Sequence, residues 1–176
     1  EGKDFTSLGT YEVSPGHARL AYSVDHDGDE RFELRVLELA TGTALSGPIE
    51  DSSGDVAWLD DETFLYVVVD EAERPYRVLR HRLGGDPSTD EVLFEEADPA
   101  FHVGVERSRS GGVVFICSES ATTSEVRFLR TSNPRGAPAL VRPREAEVEY
   151  DVDHLGEQLF VRTNRGAFGF QLEVCS

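Results

Sequence analysis

The chain contains no methionine and only two cysteines, Cys117 and Cys175, among 176 residues. Two thiols build neither a disulfide framework nor a metal-ligand pattern, and Cys117, inside an apolar stretch, reads as a small buried hydrophobe. No run approaches the roughly 18 apolar residues needed to span a bilayer as a helix. The start, Glu1-Gly2-Lys3-Asp4-Phe5, has no basic and apolar signal region. Absence of Met is expected of a chain cut from a longer one, and a missing signal with sparse cysteine points to the cytoplasm. Positive charge is also scarce: 17 Lys and Arg stand against 34 Asp and Glu, a net charge of −17. Phosphate backbones are bound by clustered Lys and Arg, so nucleic acid is not an expected partner. A cationic or neutral ligand suits this charge better, although an acidic surface also serves solubility alone.

Catalytic and cofactor signatures are missing as well. Nucleophilic hydrolysis needs an activated Ser or Cys, a base and an oxyanion hole, often announced by Gly-x-Ser-x-Gly. Ser110-Gly111-Gly112 lacks the preceding glycine, because that position is Ser108, and so reads as a turn. The histidines His17, His26, His81, His102 and His154 are scattered singly, without a His-Glu-x-x-His or Cys-x-x-Cys companion. Asp25-His26-Asp27-Gly28-Asp29-Glu30 invites a calcium reading, but its Gly falls at the fourth position and an EF-hand loop requires it at the sixth. An acidic hairpin turn is the simpler assignment. No catalytic residue, metal site or cofactor is therefore expected in this chain.

What the chain does have is a repeat. An aromatic in an apolar strand recurs at Tyr22, Tyr66, Phe115 and Phe160, spaced 44, 49 and 45 residues apart. A second series, Leu34, Val78, Val126 and Phe170, is spaced 44, 48 and 44. Several short strands within a period of about 40 to 50 residues mark propeller blades, here over 8–50, 54–97, 101–143 and 148–174. A non-repeating β-sandwich would not keep aligned positions through four units.

Each unit reads as an inner strand (11–13, 55–58, 103–105, 150–152), a turn, and a second strand carrying the aromatic. A third strand follows (33–39, 76–83, 124–129, 168–173), then an outer strand at 46–49, 91–94 and 139–142. The fourth unit lacks an outer strand. No stretch has the spacing and caps of a long amphipathic helix, so helix is expected to be minor.

Strand connectivity puts the loops between second and third strands on one rim: 25–30, 70–75, 118–123 and 164–166. That rim is acidic and rich in hydrogen-bonding groups, suited either to docking a partner or to plain solvation.

The wording within the units resembles a known family. Ala21-Tyr22-Ser23-Val24-Asp25, Asp27-Gly28-Asp29-Glu30 and Leu39-Ala40-Thr41-Gly42 are similar to the early propeller of the prolyl oligopeptidase family. Val56-Ala57-Trp58, Arg74-Pro75, Arg80-His81-Arg82-Leu83-Gly84, Thr122-Thr123-Ser124-Glu125 and Glu149-Tyr150-Asp151-Val152 resemble its oligopeptidase B branch, also called protease II.

The resemblance implies a seven-bladed propeller, of which this chain holds about four blades, the last incomplete. It also implies an α/β-hydrolase domain that holds the catalytic Ser, Asp and His and cuts short peptides after Arg or Lys, while the propeller gates access. That catalytic domain and short basic peptides are the expected partners. The expected interdomain and gating residues are Asp25, Asp29, Glu30, Asp70, Glu71, Arg74, Thr122 and Thr123. A non-enzymatic scaffold with an acidic binding rim is the alternative, since blades serve both roles. Four blades do not close a circle, so the isolated arc is expected to be marginally stable or self-associating, or to have its missing portion supplied by other chains.

Overall fold

The computed structural model describes residues 5–167 and 169–175. Strands make up almost all of its regular structure: β1 (Ser7–Val13), β2 (Arg19–Asp25), β3 (Phe32–Glu38), β4 (Ile49–Trp58), β5 (Thr63–Val69), β6 (Pro75–Arg82) and β7 (Glu91–Glu95) come first. They are followed by β8 (His102–Arg107), β9 (Val113–Glu119), β10 (Ser124–Arg130), β11 (Ala139–Leu140), β12 (Tyr150–Leu155), β13 (Gln158–Thr163) and β14 (Gln171–Cys175). Among the described residues a single 3-10 turn, Pro87–Thr89, is capped by Asp86, whose carboxylate accepts from the Ser88 N–H. Among the described residues no helix is long and apolar enough to cross a membrane.

All pairings are antiparallel between neighbours in the chain, which gives an all-β partial propeller. The strands form where β-branched and aromatic residues alternate faces, and the second strand of each unit shows why the units stack. In β5, Phe64 and Tyr66 pack with Ala21, Leu34, Val36, Val56 and Trp58 of the first junction, whereas Leu65 and Val67 pack with Val78, Val103, Val114 and Ile116 of the second. In β9 the same strand alternation sends Val114 and Ile116 back to that second junction, and Val113 and Phe115 forward to Val126, Tyr150, Val152 and Val161. Three apolar cores, one per junction, hold the arc together. Burying a Leu- or Phe-sized side chain contributes about 1.5–3 kcal/mol, and Phe64, Leu65, Val67 and Val114 are fully buried.

Parity also corrects one alignment. The spacing of 49 residues between Tyr66 and Phe115 is odd where its neighbour series has 48, and a one-residue offset turns a side chain to the opposite face of a strand. Tyr66 accordingly packs toward the preceding unit and Phe115 toward the following one, so the four aromatics are not equivalent positions. The series Leu34, Val78 and Val126 is equivalent, because each faces the unit that follows. Phe170 is half-exposed and precedes β14.

The outer strand expected at 46–49 also differs. Ser46, Gly47 and Pro48 form no strand, consistent with the missing N–H of proline. Pairing starts instead at Ile49, opposite Leu34, and the same ten-residue strand continues to pair with β5. Gly54, with φ of 94°, lies where the β4–β5 register shifts, between Ser52 and Val56. β4 thus closes one unit and opens the next, and β1 to β7 become one seven-stranded sheet. The outer strand expected at 139–142 shortens to Ala139–Leu140, and the third strand expected at 168–173 lies at Gln171–Cys175, with Phe168 outside the described residues.

Polar staples join neighbouring units on the rim that carries the turns between first and second strands. Asp61 accepts from the Gly16 N–H at 2.6 Å, and Arg19 donates to the Asp61 carbonyl. Arg80 donates to the Pro134 and Gly136 carbonyls, each at 2.8 Å. Ser110 Oγ lies 2.7 Å from His154 Nδ1. The approach is close: a Cβ on Gly112 would meet the His154 ring at 2.6 Å. Gly112→Ala is therefore expected to destabilise the chain by about 1–3 kcal/mol through overpacking. In a His154→Ala background most of that cost should vanish, and a denaturation cycle showing additive effects would separate Gly112 from the His154 contact.

Candidate functional site

The opposite rim collects the loops between second and third strands, and its backbone is held from within. Asp25 is buried and accepts from the N–H groups of Asp27 (2.9 Å), Gly28 (2.8 Å) and Glu30 (3.2 Å), which folds the acidic hairpin. Burial pushes its carboxyl up, and these backbone donors overcome that and hold it below the ordinary aspartate range. Asp70 does the same for the next loop. It accepts from Ala72 N–H and Arg74 N–H and pairs with the Arg74 guanidinium at 3.0 Å. Its carboxyl is likewise lowered, with the backbone donors and Arg74 outweighing burial.

Arginines then tie loop to loop. Arg31 donates to the Asp70 carbonyl at 2.8 Å and pairs with Asp51 at 3.0 Å. Arg74 donates to the carbonyls of Glu96, Asp98 and Phe101, the linker into β8. Arg144, from the linker into β12, pairs with Glu96, donates to Ser118 Oγ at 3.2 Å and lies 3.7 Å over the Phe101 ring. Ser118 Oγ in turn donates to Glu96 at 2.6 Å. Thr123 Oγ1 accepts from the Glu147 N–H at 3.0 Å.

The eight residues expected to act at this rim therefore divide. Asp25, Asp70, Arg74 and Thr123 shape the loops and their linkers. Asp29 caps its own turn by accepting from the Arg31 N–H at 3.1 Å. Glu30, Glu71 and Thr122 are exposed and their side chains have no hydrogen-bond partner or ion pair among the described residues. Loops with internally satisfied backbones and free polar tips are suited to recognition, because ordering them on contact costs little.

A second feature, missed in the sequence, lies on the inner strands. Glu12, Asp55, Glu106, Asp151 and Asp153 occupy the same side of β1, β4, β8 and β12, the side turned toward the following unit: Glu12, Glu106, Asp151 and Asp153 stand opposite Ala21, Phe115, Arg162 and Phe160, and Asp55 shares its face with Ala57, which stands opposite Leu65. Between β8 and β12 a cleft of about 460 Å³ is lined by Glu106, Arg109, Asp151, Asp153, Phe160 and Arg162 among others. Burial and the charges of Glu119, Asp153 and Asp151 push the Glu106 carboxyl up. Burial also raises Asp55, against the opposing effect of His102. Burial, with the charges of Glu106, Glu119, Asp151 and Asp55, raises the Cys117 thiol, which makes it an inert thiol at neutral pH. The legible signal was at least one acid on every inner strand, two on β12, at the same parity. Among the described residues no group of three or more His, Cys, Asp or Glu is placed to hold a metal ion.

The Glu96 cluster carries a test of the rim scaffold. Burial raises Glu96, but hydrogen bonds from Arg144, Ser118 and the Asp98 N–H, with the Arg144 charge, lower it overall. A carboxyl lowered on folding stabilises fully above its unfolded pKa, about 4.3, and loses that contribution as pH falls through the lower folded value. Glu96→Gln should therefore cost about 2 kcal/mol near pH 7, less than a fully buried pair because Arg144 keeps some water contact. The cost should shrink as unfolding is measured at pH values below 4.3, and a pH-independent cost would remove the ionic role.

Comparison with known proteins places this geometry. Residues 1–175 match the family model described as prolyl oligopeptidase, N-terminal beta-propeller domain. Protease 2 of Moraxella lacunata is 36% identical over 99% of this chain and 26% of its own length, and dipeptidyl aminopeptidase BI of Pseudoxanthomonas mexicana is 36% identical over 97% and 24%. Oligopeptidase B structures superpose on nearly all of the chain. That from Trypanosoma brucei, with covalently bound antipain, has a TM-score of 0.89 at 34% identity, and that from Leishmania major 0.90 at 29%, each covering 99% of this chain and 25% of the other. The chain spans about a quarter of the length of these relatives. It belongs to the prolyl oligopeptidase family, oligopeptidase B branch, as part of the N-terminal β-propeller.

Proposed function

We propose that this chain is a non-catalytic propeller segment of an oligopeptidase B-like serine peptidase, where it gates access of short peptides and docks on an α/β-hydrolase catalytic domain. The observation that carries the reading is the whole-chain likeness to oligopeptidase B structures. Gating is exclusion: a narrow passage admits flexible short peptides and turns away folded proteins. The parent enzyme cleaves after Arg or Lys, and its peptides are basic. What supports this part is the repeated acid at Glu12, Asp55, Glu106, Asp151 and Asp153, which gives the inner strands a negative potential attractive to cationic peptides. Cytoplasmic residence and self-association of the open arc belong to the same proposal.

Docking uses the loop rim. Asp29, Glu30, Glu71 and Thr122 supply the contacting groups, and Asp25, Asp70, Arg74 and Thr123 hold them in place. In a longer peptidase carrying these residues, charge reversal Glu71→Arg should lower kcat/KM for a short Arg-containing peptide about threefold to tenfold while leaving the propeller's melting unchanged. Unchanged kinetics would remove Glu71 from the interface. Glu106→Gln with Asp153→Asn should raise KM for a dibasic peptide more than for a monobasic one and flatten its salt dependence, because screening acts on the charges removed. Identical salt profiles before and after substitution would exclude the inner strands from peptide selection.

A further inference from the structure

The rim that carries the Arg80 staple also holds a cleft of about 560 Å³, formed wholly by the second and third units and lined by Thr63, Arg80, Arg82, Asp90, Glu91 and Arg135 among others. In a chain with 34 acids and 17 bases, three arginines against two acids in one cleft is a local reversal of charge. What a ligand would meet there depends on which of these groups are already engaged.

Both acids are. The Asp90 side chain is 7% exposed, with its two oxygens 3.0 and 2.9 Å from His81 Nδ1, and it accepts from the Tyr66 hydroxyl at 2.9 Å. Glu91 pairs with Arg80, whose Nη1 donates to the Pro134 and Gly136 carbonyls. Three groups remain open. Neither the Arg135 guanidinium nor the Thr63 hydroxyl has a hydrogen bond or ion pair among the described residues. Arg82 holds only Glu62, at 3.1 Å, and both side chains are more than half exposed, so water and salt readily replace that pair.

Arg135 is also fixed at its backbone. It occupies the third position of the turn 133–136, closed by the Gly136 N–H donating to the Asn133 carbonyl at 2.9 Å, with Pro134 preset for the second position. Arg80 then holds the carbonyls on either side of it. A side chain carried on so restrained a turn loses less freedom when it binds.

Two open guanidiniums and a hydroxyl, from three separate segments, suit a group with two negative charges and acceptors in several directions. A phosphate has both, whereas a carboxylate is planar and carries one charge. A long polyanion would have to cross the acidic remainder of the surface. A small ligand feels mainly the groups within a Debye length, roughly 8 Å at physiological salt. The cleft volume falls within the range of small-molecule sites, roughly 300–1,000 Å³.

We propose that this cleft binds a phosphate group, free or carried on a small organic molecule, between Arg82 and Arg135, with the Thr63 hydroxyl as a further donor. The site lies on the rim opposite the docking loops and acts independently of peptide gating.

Calorimetric titration of the longer protein that carries these residues tests it, with inorganic phosphate and phenyl phosphate as probes at constant ionic strength. Binding should saturate with a Kd of about 1 mM or tighter. Arg82→Gln and Arg135→Gln should each weaken it about tenfold without changing the melting of the protein, since both side chains lie outside the core. Arg130→Gln removes the same charge from the same rim but outside the cleft, and should leave binding unchanged. Tighter binding of phenyl phosphate than of phosphate would identify an organic phosphate as the ligand, and binding no tighter would identify the free ion. The proposal is overturned by an absence of saturable binding, by binding that neither cleft substitution weakens, or by an equal loss in Arg130→Gln. Benzoate binding as tightly as phenyl phosphate would overturn the preference for phosphate and with it the assignment.

Discussion

The arc depends on the two-sidedness of its second strands. β5 and β9 are each buried on both faces, and successive residues serve successive cores: Phe64 and Tyr66 one way, Leu65 and Val67 the other. A strand in that position cannot alternate apolar with polar as a half-exposed strand does. This explains why Thr63-Phe64-Leu65-Tyr66-Val67-Val68-Val69 is an almost unbroken apolar run although its sheet is antiparallel. The outer strands bear no such constraint. Glu91-Val92-Leu93-Phe94-Glu95 and Ala139-Leu140 are short and partly exposed, and pairing there is correspondingly irregular.

Apolar packing fixes the distance between units but does little to fix their rotation, because dispersion and hydrophobic burial are not directional. Directional bonds at the two rims supply that restraint. On one rim Asp61, Arg80 and Ser110 reach across the junctions, and on the other Arg31, Arg74 and Arg144 do. Arginine suits this task because a planar guanidinium satisfies several carbonyls at once, as Arg74 does with the linker into β8. Trp58 adds a bond nearer the inner edge, donating from Nε1 to the Glu12 carbonyl of the preceding unit at 2.9 Å.

Much of this was legible in the sequence, and the failures share a cause. Strand type and order followed from β-branched and aromatic alternation, and Leu34, Val78 and Val126 aligned correctly because each faces the unit that follows. The aromatic series looked equally regular but crossed an odd spacing, and a period measured in tens of residues does not reveal a change of face that needs single-residue register. β4 escaped recognition as one strand because 46–49 and 55–58 read as two strands of different units, whereas here Gly54 lets one strand bend and change partners. At the rim, the acidic loops were visible, but which acids are spent internally was not. Asp25 and Glu30 are equally acidic in the sequence, and only the fold points three N–H groups at the first and none at the side chain of the second.

That division bears on how an acidic protein keeps its charge useful. Internal partners take up Asp25, Asp70, Glu96 and Glu125, each held by backbone donors or arginine. The remaining carboxylates lie on the solvent side of loops and along the inner strands, where burial and the neighbouring Glu119, Asp153 and Asp151 push Glu106 up and burial pushes Asp55 up. Such placements reduce stability near neutral pH, because a carboxyl raised on folding favours its protonated form and loses stability as pH rises past its unfolded value. A surface serving solubility alone would spread its charge to avoid that loss. Acids retained at one parity on successive inner strands instead oppose the packing that aligns them, the pattern expected where a negative potential along the inner edge has its own use.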